Sequence, residues 1–273
     1  MIDKKLAVAM SVYRTDNEAH LRKAISSILK QTYTNFDLYI EVDGPVHKDI
    51  STLLLGYGSY KNVFVNFNES NKGLAFRLNQ IIDKVTKSGC YSFIARMDAD
   101  DISLPTRFST QLSFLNENPR ISVVGSDVLE ISNSGDVVFH KKMDKDHAVI
   151  AKKIIKKCPF NHPSVMFKIS VFDDGFRYKS ELKNTQDYYL WVDLLAAEKE
   201  FANISEPLLE FRVNDDFHAR RGVKKALNDL RARMYAFKKL DVLNFGNVIH
   251  TLLLFFLRIS PAFMKKLAYK FLR

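Results

Sequence analysis

Four short apolar runs in the first hundred residues, each ending in a polar turn, restrict what this chain can fold into more than any other feature. The first, Leu6-Ala7-Val8-Ala9-Met10-Ser11-Val12-Tyr13, has no polar alternation, as a strand buried on both faces requires. Thr15-Asp16-Asn17-Glu18 then has capping-box spacing, and Leu21, Ala24, Ile25, Ile28 and Leu29 follow at helical intervals. The second run, Phe36 to Val42, ends at Asp43-Gly44-Pro45. The third, Val63 to Phe67, runs into Asn68-Glu69-Ser70-Asn71-Lys72-Gly73, and a helix from about Leu74 to Val85 leads to the fourth. Strand and helix alternating at this spacing predict an α/β fold. The sheet is expected to be doubly wound and mostly parallel, flanked by helices, with its strand-end loops gathered on one edge.

The fourth run, Phe93-Ile94-Ala95-Arg96-Met97, stops in Asp98-Ala99-Asp100-Asp101. Carboxylates this close repel one another, and the cluster is tolerable where water, backbone amides or a cation neutralises it. Asp98 and Asp100 point the same way along a strand and make a seat for a hard cation or polar ligand. Asp101 reads as a turn residue ahead of a helix with Ser103 as N-cap and Pro105 in its first turn. Asp43 and Gly73 fall on the same sheet edge. Asp43 alone reads equally as a turn residue before Gly-Pro or as a ligand contact, and the shared edge favours contact.

Further along, a helix carrying Phe108, Leu112 and Leu115 precedes Ile121 to Ile131 and Val137-Val138-Phe139, an antiparallel addition around Asn133-Ser134-Gly135. Ala151, Ile154, Ile155 and Cys158 mark a helix, followed by a strand at Val165-Met166-Phe167. His162, held extended before Pro163, reads chiefly as structural. Thr185-Gln186-Asp187 opens a helix whose apolar face is Tyr188, Leu190, Trp191, Leu194 and Leu195. Asp187 either complements the helix dipole or acts as a general base aimed into a cleft, and the residues alone leave both readings open. No Walker loop, zinc-ligand cluster or Ser-His-Asp constellation stands out.

The net charge of +10 is unevenly spread: residues 217–273 hold 13 of the 41 Lys and Arg but only Asp229 and Asp241 among 31 acidic residues. A nucleic-acid enzyme would carry its basic surface around the groove, so nucleic acid is not expected as a partner. The region from Gly222 to Leu240 is predicted as an amphipathic helix. Beyond it Leu252 to Leu257 is apolar all round, and Ile259, Phe263, Leu267 and Phe271 alternate with Arg258, Lys265, Lys266, Lys270 and Arg273. The pattern predicts a basic amphipathic helical tail over 217–273 on an anionic membrane surface. Its longest apolar run is too short for the roughly 20 residues of a spanning helix. Cys90 and Cys158 are too few for a disulfide scaffold, and with no apolar leader after Lys4-Lys5 a reducing compartment is expected.

The motifs together resemble the inverting glycosyltransferases of family 2, especially bacterial enzymes that build O-antigen, capsule and other exopolysaccharide repeat units. The residues that carry the resemblance begin with Ser11-Val12-Tyr13, Val42-Asp43-Gly44-Pro45, and Asn71-Lys72-Gly73-Leu74-Ala75 with Asn79. They continue with Arg96-Met97-Asp98-Ala99-Asp100-Asp101 through Phe108, Val124-Gly125-Ser126, Asn161-His162-Pro163-Ser164-Val165-Met166, and Gln186-Asp187-Tyr188-Tyr189-Leu190-Trp191. The match runs from the first strand to about Arg212, and the order and spacing are more specific than any one motif.

The resemblance implies a GT-A fold over 1–216, with a nucleotide-sugar half at about 1–110 and an acceptor half at about 111–216. It also implies a UDP-sugar donor, Mn2+ or Mg2+, and a polyprenyl-diphosphate-linked sugar acceptor. The expected location is peripheral, on the cytoplasmic face of the bacterial inner membrane. By position, Asp43 would contact the base, Tyr13 line the nucleotide pocket, Asp98 touch ribose or sugar, and Asp100 hold the metal. Lys72, Gly73 and Asn79 belong to the donor loop motif. Gln186 stands where the family has the Glu of a Glu-Asp pair, which leaves Asp187 as the base. Arg212 and His218 fall where related enzymes place a diphosphate- or metal-contacting segment. The implied reaction moves a hexose or N-acetylhexosamine in one displacement, giving a β-linkage from an α-linked donor.

Two other readings compete. A nucleotidyltransferase would carry a glycine- and basic-rich triphosphate loop where Tyr13-Arg14-Thr15-Asp16 stands. A non-enzymatic membrane- or RNA-binding protein explains the tail but leaves the strand-end carboxylates without a purpose.

Overall fold

The computed structural model of the chain describes residues 5–182, 184–213 and 223–260, so His218 and the tail residues from 261 onward lie outside the described residues. The expected alternation is present in β1 (Lys5–Val12), α1 (Glu18–Leu29), β2 (Phe36–Val42), α2 (Lys48–Tyr57), β3 (Val63–Phe67), α3 (Leu74–Ser88) and β4 (Tyr91–Met97). Asn17, rather than Thr15, caps α1, its side chain accepting from the His20 N–H at 3.1 Å. Helix α2 was not anticipated from the sequence.

The second half follows as β5 (Ile102–Ser103), α4 (Arg107–Glu117), β6 (Ile121–Ile131), β7 (Val137–Lys141) and α5 (His147–Lys153). A 3-10 turn at His162–Ser164 leads to β8 (Met166–Lys168), α6 (Ser170–Asp173), α7 (Gln186–Ala196), β9 (Glu200–Arg212), α8 (Val223–Leu240) and α9 (Phe245–Ile259). Thr106 is the N-cap residue of α4, so Ser103 does not cap a helix; it ends β5 and its backbone N–H donates to Ser27 Oγ at 2.9 Å instead. Helix α5 is shorter than its apolar pattern suggests, and Ile154 and Ile155 enter the core just after it.

Among the described residues the strands form one sheet in the order β3-β2-β1-β4-β8-β6-β9-β5, with β7 paired to β6. The β3-β2-β1-β4 half is parallel, as expected. The other half is mixed, with β8 antiparallel to both β4 and β6, and β9 parallel to β6. The period-two rule decides which core each β1 side chain joins. Leu6, Val8, Met10 and Val12 pack with α1, α2 and α4, while Ala7 and Ala9 face α3 and the second core.

That second core closes on Trp191 of α7, wholly buried, with its ring edge-on to Phe160 at 4.9 Å and stacked on Phe167 at 5.6 Å. Gly125 of β6 is needed beside it, because a Cβ there would lie 2.3 Å from Asn203 Oδ1 and 2.7 Å from Phe160.

Helix α8 is part of this body. It buries Ala226, Ala232 and Ala236, and donates Arg233 Nε to the Ile155 carbonyl at 3.0 Å. Helix α9 folds back along it, with Arg258 ion-paired to Asp229. The outer face of α9 stays apolar and open: Phe245 is 82%, Leu253 64% and Phe256 60% exposed. No helix among the described residues is long and apolar enough to cross a membrane.

Candidate active site

Strand order reverses between β1 and β4: successive crossovers carry the chain outward through β2 and β3, and then back to the other side of β1. Such a switch point opens a crevice at the carboxyl ends of the two strands. Tyr13 follows one strand and Asp98 the other, so topology alone brings them to the same crevice.

The strand pleat continues through the acidic turn. Ala99 is buried in the core, while Asp98 and Asp100 remain half-buried on the open side. One ligand oxygen from each of Asp98, Asp100 and Asp101 falls within 4.8 Å of the others. Asp101 is wholly buried and is a third member of the cluster rather than a helix-capping turn residue. Its Oδ1 accepts the Arg212 backbone N–H at 2.8 Å, and its Oδ2 finds no partner among the described residues.

Buried cations surround the cluster. Arg96 pairs with Asp98, and Arg107, also buried, donates Nη2 to the Arg96 carbonyl at 2.7 Å. Burial pulls Arg107 down to about 9, against the attraction of Asp101. Burial and the neighbouring Asp98 push Asp100 up to about 6, and burial with both neighbouring carboxylates pushes Asp101 well above the ordinary range.

Asp16, an intervening position in the Thr15–Glu18 capping-box spacing, adds a fourth carboxylate. With Asn17 doing the capping, Asp16 faces the crevice and its Oδ2 accepts the Tyr13 N–H at 2.8 Å. Burial first, then Asp100 and Asp98, raise it to about 6. Its place directly after β1, at the sheet end shared with β4, was the available signal.

The site fits a divalent cation. Three convergent carboxylates, an unpartnered buried oxygen on Asp101 and mutual repulsion that raises two of them form an all-oxygen donor set suited to Mg2+ or Mn2+.

Arg212 locks this turn in place. Its Nε donates to the Asp100 carbonyl at 2.9 Å and its Nη1 to the Ser132 and Asn133 carbonyls at 2.7 and 3.1 Å. Its Nη2 is buried without a partner among the described residues.

Asp43 is 3% exposed and accepts four protein donors: Lys72 N–H at 2.8 Å, Arg77 Nε at 2.7 Å, Gly73 N–H at 2.9 Å and Asn71 Nδ2 at 2.8 Å. A carboxylate offers about four lone-pair positions. A nucleotide base contacting Asp43 therefore has to displace one of these donors. The carboxylate holds the 70–73 loop against the end of β2. Gly44 permits the close approach, at φ +84° and with room for no Cβ beside Asn71 N. Gly73, at φ +90°, then turns the chain into α3, and the Lys72 ammonium lies 4.7 Å from the Phe76 ring.

Asn79 does not reach the crevice. Its amide donates to the Tyr178 carbonyl at 2.7 Å and accepts the Tyr178 N–H at 3.0 Å, pinning the segment before α7. Tyr178 in turn bonds His162 Nε2 at 2.8 Å, and burial keeps His162 well below its usual range and neutral.

Asp187 lies in the first turn of α7, where Thr185 starts the helix at φ +65°. Asp187 lines a cavity of about 420 Å3 together with His162, Gln186 and residues of α8 and α9. Burial raises its pKa; its own and the Tyr188 backbone N–H groups oppose this, and Asp229 and Asp98 add to it. Beside it, Gln186 Oε1 is buried without a partner among the described residues. A carboxylate whose pKa is raised in this way is, once ionised, a stronger proton acceptor than an ordinary one.

The family model for glycosyl transferase family 2 matches residues 7–176. A UDP-Gal:alpha-D-GlcNAc-diphosphoundecaprenol beta-1,3-galactosyltransferase of Escherichia coli is 29% identical, over 97% of this chain and 95% of its own length. The O-antigen biosynthesis glycosyltransferase WbnJ of Escherichia coli is 31% identical over 90% and 94%. Among solved structures, S. aureus TarS 1–349 in complex with UDP aligns at TM-score 0.63 and 15% identity, over 90% of this chain and 69% of that one. The mixed sheet with flanking helices is thus the fold of the GT-A glycosyltransferases.

Proposed function

The chain belongs to glycosyl transferase family 2, and on that premise we propose that it moves a hexose or N-acetylhexosamine from a UDP-sugar to a saccharide on a polyprenyl diphosphate, with inversion. The observation that carries this reading is the carboxylate cluster at the β1/β4 switch point, with Asp187 near enough that Asp98 influences its ionisation.

In this reading the donor lies in the crevice beside Tyr13, Gly73 and Asp98. Asp187 accepts the proton of the acceptor hydroxyl as that oxygen attacks the anomeric carbon, and the diphosphate departs from the opposite face. One displacement inverts the centre without a covalent intermediate, so an α-linked donor gives a β-linked product. Asp100, with Asp98 and Asp101 beside it, would hold a divalent cation, which would supply neutralising charge for the departing diphosphate. Arg212 keeps that turn rigid.

The donor class draws support from the fold shared with a UDP complex. The acceptor class draws support from the relative named for transfer onto a GlcNAc-diphosphoundecaprenol, which aligns along nearly the whole chain. The exposed apolar face of α9, on a strongly basic C-terminal region, suits attachment to the anionic inner-membrane surface at its cytoplasmic side.

Thermal unfolding of the protein with UDP, GDP, UMP and no ligand, each with Mn2+ and with chelator, tests the donor site. A UDP-selective, metal-dependent rise in Tm that disappears in Asp100→Ala is the expected result. A folded protein that responds to no nucleotide contradicts the reading.

A further inference from the structure

Strand β3 closes one edge of the sheet, and no strand among the described residues pairs with its outer side. Its ladder to β2 decides which backbone groups stay open there. Leu38 N–H donates to the Asn62 carbonyl at 2.8 Å and Asn68 N–H to the Val42 carbonyl at 3.2 Å, so the even-numbered residues of this segment turn their backbone toward β2. Val63, Val65 and Phe67 turn theirs outward. Val63 N–H closes a turn on the Tyr60 carbonyl at 3.2 Å, which leaves the N–H groups of Val65 and Phe67 and all three carbonyls facing away from the sheet.

Sheet edges are usually blunted by proline, lysine, a bulge or extreme shortness. The run Val63-Phe64-Val65-Asn66-Phe67 has none of these, and it pairs with β2 in unbroken register. By contrast β5, at the other end of the sheet, is 2 residues long, and β7 pairs with β6 across a register shift and ends in Lys141. A groove of about 810 Å3 runs along β3, with Leu55 of α2 and Phe64 and Phe67 of the strand exposed in it.

The segment is complementary to its own reverse. Antiparallel pairing about Val65 sets Val65 opposite Val65, Val63 opposite Phe67, Phe64 opposite Asn66, Asn62 opposite Asn68 and Lys61 opposite Glu69. Lys61 and Glu69 are both exposed, so an ion pair closes each end of such a ladder. The same register satisfies the backbone: the Val65 residues of the two copies exchange N–H and carbonyl, and Phe67 N–H of each copy meets the Val63 carbonyl of the other. A slip of one residue loses this match of open groups. A slip of two residues keeps it but sets Lys61 opposite Phe67 or Asn71, so charge selects the register centred on Val65.

We propose that β3 is the interface between two copies of this chain, paired antiparallel about a two-fold axis through Val65, so that the sheet runs on from one molecule into the other. The contact is isologous, each copy giving and receiving the same groups. It covers the exposed Phe67 of each copy with Val63 of the other.

Sedimentation velocity of the full chain over a range of concentrations tests this, with Tm showing that each variant is folded. Wild type is expected to dimerise reversibly. Lys61→Glu and Glu69→Lys each place like charges at both ends of the ladder and are expected to raise the dimer dissociation constant roughly tenfold or more. Mixing these two variants restores opposite charges at both ends and is expected to recover the wild-type constant, as is the double variant Lys61→Glu/Glu69→Lys. Val65→Pro removes an N–H that points away from β2, so the fold is expected to persist while dimerisation is lost. A wild type that stays monomeric at every concentration overturns the proposal. So does a dimer indifferent to all of these substitutions, which would lie on another face such as that of α9, and so do single variants that dissociate without recovering on mixing.

Discussion

Arg212, the last residue of β9, donates its backbone N–H to Oδ1 of Asp101 at 2.8 Å while its side chain holds the Asp100 carbonyl. A strand far along the chain thus fixes the geometry of the acidic turn that follows β4. The guanidinium also closes the β6–β7 turn through Ser132 and Asn133. Replacing it with a methionine leaves the carbonyls of Asp100, Ser132 and Asn133 without this donor. Arg212→Met is expected to lose about 2–4 kcal/mol of stability in urea unfolding, with a larger fractional loss of activity than of nucleotide binding. A variant as stable as wild type would remove Arg212 from this positioning role.

The carboxylate cluster is a structure under repulsion unless something neutralises it. Mn2+ at about 100 times its dissociation constant is expected to stabilise the folded protein by roughly 2.7 kcal/mol. In Asp100→Ala that gain is expected to vanish, while the metal-free variant is at least as stable as metal-free wild type. Calorimetry with and without chelator measures both quantities, and a metal response that survives in the variant would place the cation elsewhere.

For Asp187 the stability and activity effects run in opposite directions. Burial holds its folded-state pKa above the ordinary carboxylate value, so the fold favours the neutral acid. Its contribution to stability is therefore lost as pH rises from the unfolded value through the raised one. Asp187→Asn is expected to be more stable than wild type at neutral pH and to lose roughly 10²–10⁴-fold in kcat. Because the base must be ionised, the acid limb of the wild-type pH–rate profile is expected above the ordinary carboxylate range. Full activity in the Asn variant would exclude Asp187 as the base.

Much of this was legible in the sequence where local rules act alone. The unbroken apolar run Leu6 to Met10 of β1, the largely apolar stretch of β2, the Asp98/Asp100 alternation and the placement of Asp187 at a helix start all needed only period and position. Strand β9 was not legible, because Glu206 and Pro207 interrupt its apolar pattern; the strand accommodates them through register shifts opposite Ser126 and Asp127. Asp16 was hidden by a capping pattern that Asn17 fulfils instead. The roles of Arg212 and Asn79 depend on partners remote in sequence, which no local spacing records. The packing of α8 was not legible, because a basic amphipathic helix looks alike whether one face meets a membrane or, as in α8, small alanines meet a core.

The outer face of α9 carries the membrane part of the account. Leu253→Glu combined with Phe256→Glu changes exposed side chains and is expected to shift Tm little. The double variant is expected to lose co-sedimentation with vesicles rich in phosphatidylglycerol while retaining UDP binding. Undiminished vesicle binding would show that this face does not meet lipid.

The most direct test of the central claim is the stereochemistry of one turnover. The protein is incubated with a panel of α-linked UDP-sugars, Mn2+ and a diphosphate-lipid acceptor, and the new linkage is read from its anomeric proton coupling by NMR. The account requires a β-linked product with stoichiometric UDP, lost in Asp187→Asn. An α-linked product, or transfer that persists without Asp187, would contradict a single displacement assisted by that carboxylate.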